Sequence, residues 1–169
     1  MMDVEADGPI PGDYSMISFG AVVVEPSLKK KYSACLRPIS NNWLPKALNI
    51  CHFTREETLS FPDPAKVMLD YARWIQSVSS GVPHFISDNN GFDWQFINWY
   101  FIHFMKENPF GYTSTNLGSL YKGIVKNTFA GFKHLRKTEH THKAIDDALG
   151  NAEALLELKN VFGLNINLE

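Results

Sequence analysis

The sequence has few features of secreted, membrane-spanning or disulfide-rich proteins. Only two of its 169 residues are cysteines, Cys35 and Cys51, which are too few for a disulfide framework or a zinc ribbon. Its longest apolar runs, such as residues 21–24, are far too short to cross a bilayer. Acidic residues occupy the positions where a secretory leader carries basic ones. We therefore expect a cytoplasmic protein that does not contact a membrane.

The sequence also lacks a strong overall charge. Its formal net charge is −2, so total charge does not indicate a nucleic-acid-binding protein. The distribution is uneven: residues 1–13 contain four acids and no basic residue, whereas residues 120–143 contain six lysines or arginines and one glutamate. If the basic stretch lies beside the acidic segment in the fold, and the acids hold a metal ion, the two together would suit phosphate binding. A solvated surface of one charge is the alternative.

The apolar content of 44% and the charged content of 20% are typical of a globular protein. The length predicts one domain spanning residues 1–169. Hydrophobic periodicity, turn residues and helix caps predict these elements, in order: a hairpin of strands in 16–25 and 32–38, short helical pieces in 41–58, a helix over 63–78, a strand over 84–87, and helices over 92–107, 117–125 and 143–161. This order predicts an α/β fold with a central mixed β-sheet flanked by α-helices.

Helical phase distinguishes the two adjacent acids near the C-terminus. Asp147 shares a small, apolar face with Ala144, Ala148 and Leu155, so it points inward. Asp146 falls on a charged face that is typical of solvent exposure. Asp147 therefore needs an internal partner, which is either a cation or a basic side chain or backbone amide.

Asp93 begins a stripe of apolar residues at helical spacing. It lies on one face with Phe96, Ile97, Tyr100 and Phe104, which is unusual for a solubilising charge. A structural role as the N-cap of its own helix is the alternative.

Asp3 and Glu5 are two residues apart, so on a strand they point to the same side of the sheet. Two neighbouring carboxylates repel unless a cation lies between them. A disordered acidic terminus is the alternative. Few residues precede Asp3, so either this strand is short or the protein has further residues upstream. One shared metal site explains all four acids together, and their oxygens suit Mg²⁺ or Mn²⁺.

Three segments in this order resemble the motifs of the DEDDh (DnaQ-like) 3′–5′ exonucleases, a family of the ribonuclease H-like superfamily. They are Asp3-Val-Glu5 followed by Gly8, Asn90-Gly-Phe-Asp93, and His142-Lys-Ala-Ile-Asp-Asp147-Ala148, and together they span nearly the whole chain.

The resemblance implies a ribonuclease H-like fold and a metal-dependent phosphodiester hydrolase with two divalent ions per active site. The implied ligands are Asp3, Glu5, Asp93 and Asp147, and His142 is the implied general base. Two ions suit this chemistry because they stabilise both the attacking and the leaving oxygen.

The resemblance also implies substrate contacts. The segment 50–54 is similar to one that wedges a hydrophobic side chain against the terminal bases, which makes Phe53 the candidate wedge. Packing of Phe53 in the core is the alternative. His52 stands where the family more often has glycine, so the local backbone could differ. We also expect Thr54, Gly8 and Lys143 to contact the substrate.

His140 and His142 form a possible metal-binding pair on an extended segment. The sequence offers only Cys51 and His52 as further zinc ligands, so zinc is a minor alternative. We expect His140 to lie near phosphate or solvent.

The leading interpretation is an exonuclease that releases nucleoside 5′-monophosphates from single-stranded 3′ ends, with RNA slightly favoured by analogy to small single-domain relatives. The alternatives are a DNA 3′–5′ exonuclease of the proofreading or repair type and a catalytically inactive nucleic-acid-binding module. The aromatic-rich stretch 99–104 makes a homodimer plausible.

Overall fold

The computed structural model describes residues 1–166 and has an α/β fold. Its strands are β1 (Met2–Ala6), β2 (Met16–Val22), β3 (Lys31–Cys35), β4 (Phe85–Ser87) and β5 (Ser114–Asn116). Its helices are α1 (Pro45–Ile50), α2 (Arg55–Leu59), α3 (Pro64–Val78), α4 (Asn90–Met105), α5 (Leu117–Ile124) and α6 (Ala144–Phe162), with a 3₁₀ turn at Lys133–Leu135.

The five strands form one mixed sheet in the order β3-β2-β1-β4-β5. The β1–β2 and β2–β3 pairs are antiparallel, and β1–β4 and β4–β5 are parallel. The predicted mixed sheet flanked by helices is therefore confirmed. The predicted order was incomplete, because it did not assign β5 and left β1 unresolved. Both strands are short, and β1 carries two acids, so neither produces a strong hydrophobic pattern.

The helix boundaries follow local signals that the sequence contains. The Asp63 carboxylate accepts hydrogen bonds from the backbone N–H groups of Ala65 and Lys66, and Pro64 occupies the first position of α3. The α4 helix begins at Asn90, two residues earlier than predicted, so Asp93 lies inside its first turn. The 143–161 prediction corresponds closely to α6.

The two faces of the sheet are packed differently. The face that meets α3 and α4 is filled by large aromatic residues, and Phe19, Tyr71, Phe96 and Phe101 are almost completely buried there. The face that meets α6 is lined by small residues, including Ala144, Ala148 and Ala152 of the helix. Met2, Val4 and Ala6 of β1 belong to the aromatic core, so Asp3 and Glu5 point to the α6 face.

The sheet opens between β1 and β4. The only residue pair between these strands is Met2 with Ser87, so β1 runs on without a strand partner on that side. The backbone N–H of Val4 instead donates to the Asp93 carboxylate. This gap admits a side chain from α4 to the edge of β1.

Within residues 1–166, no helix has both the length and the apolar character that crossing a bilayer requires. The last three residues of the predicted 1–169 domain lie outside the described residues.

Candidate active site

The structure brings together three of the four predicted metal ligands. Carboxylate oxygens of Asp3 and Glu5, on β1, and of Asp147, in the first turn of α6, lie within 4.8 Å of one another. Asp147 is 1% exposed, whereas Asp146 is only partly buried and accepts a hydrogen bond from the Thr141 hydroxyl. Helical phase therefore identified the inward-facing acid correctly. The alternative of a disordered N-terminus is wrong, because β1 lies in the middle of the sheet.

The first turn of α6 approaches the sheet closely at Gly20. This glycine pairs with Asp3 across the β1–β2 ladder. A Cβ atom added at Gly20 would lie 2.5 Å from the backbone carbonyl of Ala144 and the Cα atom of Ile145. The missing side chain therefore lets the helix backbone rest on β2, which brings Asp147 to the acids of β1.

Asp93 reaches the same region from α4 through the gap between β1 and β4. It is 1% exposed, and its Oδ1 atom accepts a hydrogen bond of 3.2 Å from the Val4 N–H. Its Oδ2 atom is buried and has no hydrogen-bond partner among the described residues. Asn89, not Asp93, is the N-cap of α4, so the alternative of a capping role is wrong.

The carboxylates perturb one another because they share a buried space. Burial, followed by the charges of Asp93, Glu5 and Asp147, raises the pKa of Asp3 well above its ordinary value. Burial raises the pKa of Glu5 to about 7 and that of Asp93 to about 8. Without a cation, such a group of acids holds protons that it would release to bind a metal.

Glu5 is oriented by a neutral donor. The Cys51 thiol lies 3.1 Å from the Glu5 Oε2 atom and donates to it. Burial raises the pKa of this thiol, so it stays protonated at neutral pH. The contact assigns Cys51 a role that the sequence did not suggest.

His142 lies at the turn that leads into α6. Its backbone is in the left-handed region, with φ of 56°, and its N–H donates to the Asp147 Oδ2 atom at 3.1 Å. The predicted general base and the predicted ligand are therefore joined through the backbone.

Arg136 is a site residue that sequence reasoning missed. Its Nη2 atom donates to the backbone carbonyl of Asp147 at 2.8 Å and to its Oδ1 atom at 3.2 Å. The side chain is only 5% exposed, and Gly150 makes room for it, because a Cβ atom there would lie 2.5 Å from the Arg136 Nε atom. In sequence, Arg136 is one of six basic residues in the segment 120–143, and no local pattern distinguishes it.

His140 also contacts Asp147. Its Nδ1 atom lies 2.7 Å from the Asp147 Oδ1 atom, and its ring meets the His142 ring at 4.2 Å between centroids. The prediction that His140 reaches solvent agrees with its side-chain exposure of 43%. Its contact with a predicted metal ligand was not foreseen.

A small cavity beside the carboxylates collects several predicted substrate contacts. Its volume is about 260 Å³, and its lining includes Phe53, His142, Lys143 and Cys51. Phe53 is partly buried and packs edge-on against Phe61, so it is neither free nor fully in the core.

The backbone before Phe53 has the conformation that glycine would favour. His52, at the position where the resemblance predicts glycine, has φ of 60°, in the left-handed region. The substitution therefore keeps a left-handed backbone there.

Thr54 and Gly8 do not line this cavity. The Thr54 hydroxyl takes part in a capping box with Glu57 at the start of α2. Gly8 packs against the ring of Tyr14, and a Cβ atom there would overlap that ring. Both positions therefore have structural roles, and their predicted substrate contacts stay predictions.

A buried ion pair connects the end of β1 to the segment that carries Phe53. The Arg55 Nη1 atom lies 2.9 Å from the Asp7 Oδ2 atom, and Arg55 also donates to the Ser40 carbonyl at 2.7 Å. Asp7 is completely buried. This pair fixes the position of Phe53 relative to the acids of β1.

A larger cavity of about 1040 Å³ lies elsewhere, with Trp74, Val82, Phe110 and Leu155 among its lining residues. No predicted metal ligand lines either cavity, but His142, Phe53 and Lys143 line the smaller one and not this one. The predicted catalytic and substrate contacts therefore point to the smaller cavity.

Comparisons with known proteins agree with this geometry. The family model described as Exonuclease, RNase_T, matches residues 1–155. The chain is 36% identical over 158 residues to the 3′–5′ DNA exonuclease Cap18 of Escherichia coli. The alignment covers 91% of this chain and 82% of that protein.

Solved structures share the fold at low sequence identity. The nuclease domain of 3′hExo, a DEDDh family member bound to rAMP, superposes with a TM-score of 0.76 at 15% identity, covering 98% of this chain and 94% of that one. Exonuclease I of E. coli, in complex with a 5cy-dA13 oligonucleotide, gives a TM-score of 0.72 at 16% identity and covers 94% of this chain and 39% of that one.

Proposed function

The chain belongs to the RNase_T exonuclease family, and we propose that it uses two divalent ions to release nucleoside 5′-monophosphates from single-stranded 3′ ends. The observation that carries this proposal is the group formed by Asp3, Glu5 and Asp147, whose carboxylate oxygens lie within 4.8 Å of one another. Asp147 is buried and the other two are half-buried, and like charges held this close are stable in the ionised form only with a cation.

The residues fit a pair of Mg²⁺ or Mn²⁺ ions. Asp3, Glu5, Asp93 and Asp147 would hold them, because all four offer carboxylate oxygens, the ligands that these cations prefer. The buried Oδ2 atom of Asp93, which has no hydrogen-bond partner within residues 1–166, supports this assignment. When bound, two such ions stabilise the charge that develops on the attacking and the leaving oxygens.

His142 is the proposed general base, because histidine is the side chain that most often accepts a proton in enzyme catalysis. It lines the small cavity, and its backbone is hydrogen-bonded to Asp147. From there a ring nitrogen can accept a proton from the attacking water.

The remaining predicted contacts would hold the 3′ end. We propose that Phe53 stacks on the terminal base and that Lys143 pairs with a phosphate, since both line the cavity that His142 shares. Thr54 and Gly8 would contribute through the backbone, because the Thr54 hydroxyl serves as the cap of α2. The exposed lysines of residues 120–143 would attract the rest of the strand.

Single-stranded DNA is the substrate that we propose, in place of the slight preference for RNA drawn from the sequence. The support is the relative at 36% identity, which is named a DNA exonuclease. RNA is the competing substrate. A homodimer through residues 99–104 and a single domain over residues 1–169 stay predictions, which light scattering and limited proteolysis would test.

The direct experiment uses 5′-labelled DNA and RNA of one sequence, with Mg²⁺, Mn²⁺ or EDTA. We expect stepwise shortening from the 3′ end with either ion, faster on DNA, and none in EDTA. Faster shortening of RNA would reverse the substrate assignment. No cleavage with either ion would favour a nucleic-acid-binding module.

A matched pair of variants tests the site. His142→Ala should reduce turnover by about 100-fold or more, the range expected for a general base, while the protein still binds Mn²⁺. The control is His103→Ala, since His103 lies ten residues after Asp93, about 15 Å along α4. Wild-type turnover in His142→Ala would contradict the assignment.

A further inference from the structure

We propose that His140, His142 and Asp147 form a zinc site that overlaps the hydrolytic site, and that Zn²⁺ bound there switches the nuclease off. The ligand atoms of these three residues lie within 4.8 Å of one another. Zinc binding follows from this geometry alone. The inhibition rests on the proposed function, because His142 and Asp147 are also the proposed base and a proposed ligand of the hydrolytic site.

The structure supplies a third ligand that the sequence could not identify. The two histidines alone gave only a pair on an extended segment. In the fold, the His140 Nδ1 atom lies 2.7 Å from the Asp147 Oδ1 atom, and the two imidazole rings are 4.2 Å apart at an angle of 67°. Two imidazoles and a carboxylate form a ligand set typical of zinc sites that keep a fourth position open.

The distances suit a tetrahedral ion after small side-chain rotations. Zinc binds nitrogen and oxygen ligands at about 2.0–2.2 Å, which separates the ligand atoms of a tetrahedral site by about 3.3 Å. The His140 and Asp147 atoms must therefore move apart slightly to admit an ion. His140 can do so because its side chain is 43% exposed, which also gives an ion a path from solvent.

The backbone of the site is already fixed. The Glu153 carboxylate of α6 accepts hydrogen bonds from the backbone N–H groups of Lys137 and Thr138, at 2.9 and 2.7 Å. The N–H groups of Thr141 and His142 donate to Asp147. The segment is thus held against α6 on both sides of His140, and only side chains need to move.

The donor types separate this site from the carboxylate site. Mg²⁺ prefers an all-oxygen environment, whereas imidazole nitrogen favours zinc among the abundant divalent ions. Asp3 and Glu5 form a second group with Asp147 and provide only oxygen. The two sites therefore share one carboxylate and prefer different metals.

Arg136 opposes a cation here and limits the affinity of the site. Its Nη1 atom lies 3.5 Å from the His140 Nδ1 atom, and its Nη2 atom lies 3.2 Å from the Asp147 Oδ1 atom. A zinc ion would displace the second contact, while the 2.8 Å bond from Arg136 to the Asp147 carbonyl could persist.

Zinc binding by the full chain is measured by equilibrium dialysis without magnesium. His140→Ala should weaken zinc binding by more than about 100-fold, since even loss of a hydrogen-bond partner behind a ligand costs about 10- to 100-fold. His140→Asn, which keeps a polar side chain, guards against loss of folding. His103→Ala is the control. Unchanged zinc affinity in both His140 variants would overturn the proposal.

A second variant separates the two metal sites. Asp3→Asn weakens the carboxylate site but keeps His140, His142 and Asp147, so it should bind zinc as wild type does. Co²⁺ bound to this variant should absorb strongly in the visible range, as four-coordinate cobalt does, and this absorption should vanish with His140→Ala. Loss of zinc binding in Asp3→Asn would place the ion on the carboxylates and overturn the proposal.

Inhibition is then measured with Mg²⁺ in excess, and each protein is compared with its own zinc-free rate. Wild type should lose activity at zinc concentrations that saturate the dialysis curve, and His140→Asn should need more than about tenfold more zinc. Equal zinc sensitivity in the two proteins would overturn the regulatory part. Failure of wild type to cleave with Mg²⁺ or Mn²⁺ would instead contradict the proposed function. The dialysis measurement would still test zinc binding, because it does not depend on activity.

Discussion

The two faces of the sheet are built from different residues and have different roles: one provides hydrophobic packing, and the other brings carboxylates together. On one face, Phe19, Phe96 and Phe101 fill a thick aromatic layer beneath α3 and α4. On the other, Gly20 lets the backbone of α6 approach β2, and the half-buried Asp3 and Glu5 meet the buried Asp147. Bulk burial stabilises the first face. The second face depends on the close approach of α6 to β2, which brings carboxylates together. Repulsion among these carboxylates lowers stability until a cation binds.

Removing one acid from the carboxylate face should have the largest effect on activity. Asp3→Asn should lower the rate with Mg²⁺ by about 1000-fold, because loss of a proposed metal ligand removes about 4 kcal/mol of transition-state stabilisation. The same change should raise the free energy of unfolding in EDTA by about 1 kcal/mol, since it relieves repulsion among buried acids. Cleavage kinetics and urea unfolding measure the two effects. A variant that loses both activity and metal-free stability would contradict this account of the face.

The close approach at Gly20 can be broken without touching an acid. Gly20→Ala would push the start of α6 away from β2, because the new Cβ atom meets backbone atoms of Ala144 and Ile145 at 2.5 Å. A displacement of Asp147 by about 1 Å can cost about 100-fold in rate, and overpacking costs about 1–3 kcal/mol.

Phe101→Leu is the matched change on the aromatic face. It should cost up to about 1.5 kcal/mol and leave the rate per folded molecule nearly unchanged. Thermal unfolding and single-turnover cleavage compare the two variants. An equal loss of activity in both would mean that the faces are not separable.

The pH dependence of stability should distinguish the carboxylate face from the rest of the protein. Burial raises the pKa of Glu5 to about 7 and that of Asp93 to about 8. Between about pH 4 and pH 8 the folded state therefore holds protons that the unfolded state has released, so stability falls as pH rises.

This decline should amount to a few kcal/mol in EDTA, and it should flatten in saturating Mg²⁺, which binds the ionised carboxylates. Urea midpoints across this pH range measure it. Glu5→Gln should remove part of the slope, and an unchanged slope in that variant would assign the effect to other groups.

We expect the smallest effect from a change at Gly150, the residue that makes room for the Arg136 side chain. Gly150→Ala would place a Cβ atom 2.5 Å from the Arg136 Nε atom and 2.9 Å from the Thr138 carbonyl oxygen. We expect about 1 kcal/mol of destabilisation and about a tenfold loss of activity, because Asp147 loses a fixed partner. The control is Gly123→Ala in α5, where a Cβ atom would meet nothing within 4 Å. Similar losses of stability and activity in both variants would mean that the effect comes from the change in helix propensity and not from the contact with Arg136.

Local sequence patterns predicted much of this architecture. The cap at Asp63, the stripe beneath Asp93 and the phase of Asp147 each depend on residues within a few turns of one helix, so spacing alone reveals them. The short strands β1 and β5 were harder, because five and three residues carry little periodic signal.

Contacts between distant segments could not be predicted in this way. Arg136 reaches Asp147 from a loop, Cys51 reaches Glu5 from the residue after α1, and Arg55 reaches Asp7 across nearly fifty residues. Nothing in the neighbouring sequence marks these residues, because their partners are chosen by how the chain is folded over the sheet.

The sequence by itself determined which acids face inward, since side-chain direction follows from the helical and strand repeats. Only the tertiary structure decided which groups those acids meet. Gly20 lets the backbone of α6 approach β2, and the gap beside β1 lets Asp93 reach that strand. A loop that folds back over α6 brings Arg136 and His140 into contact with Asp147. The physical reason is that direction is a local property of the backbone, whereas proximity depends on the path of the whole chain.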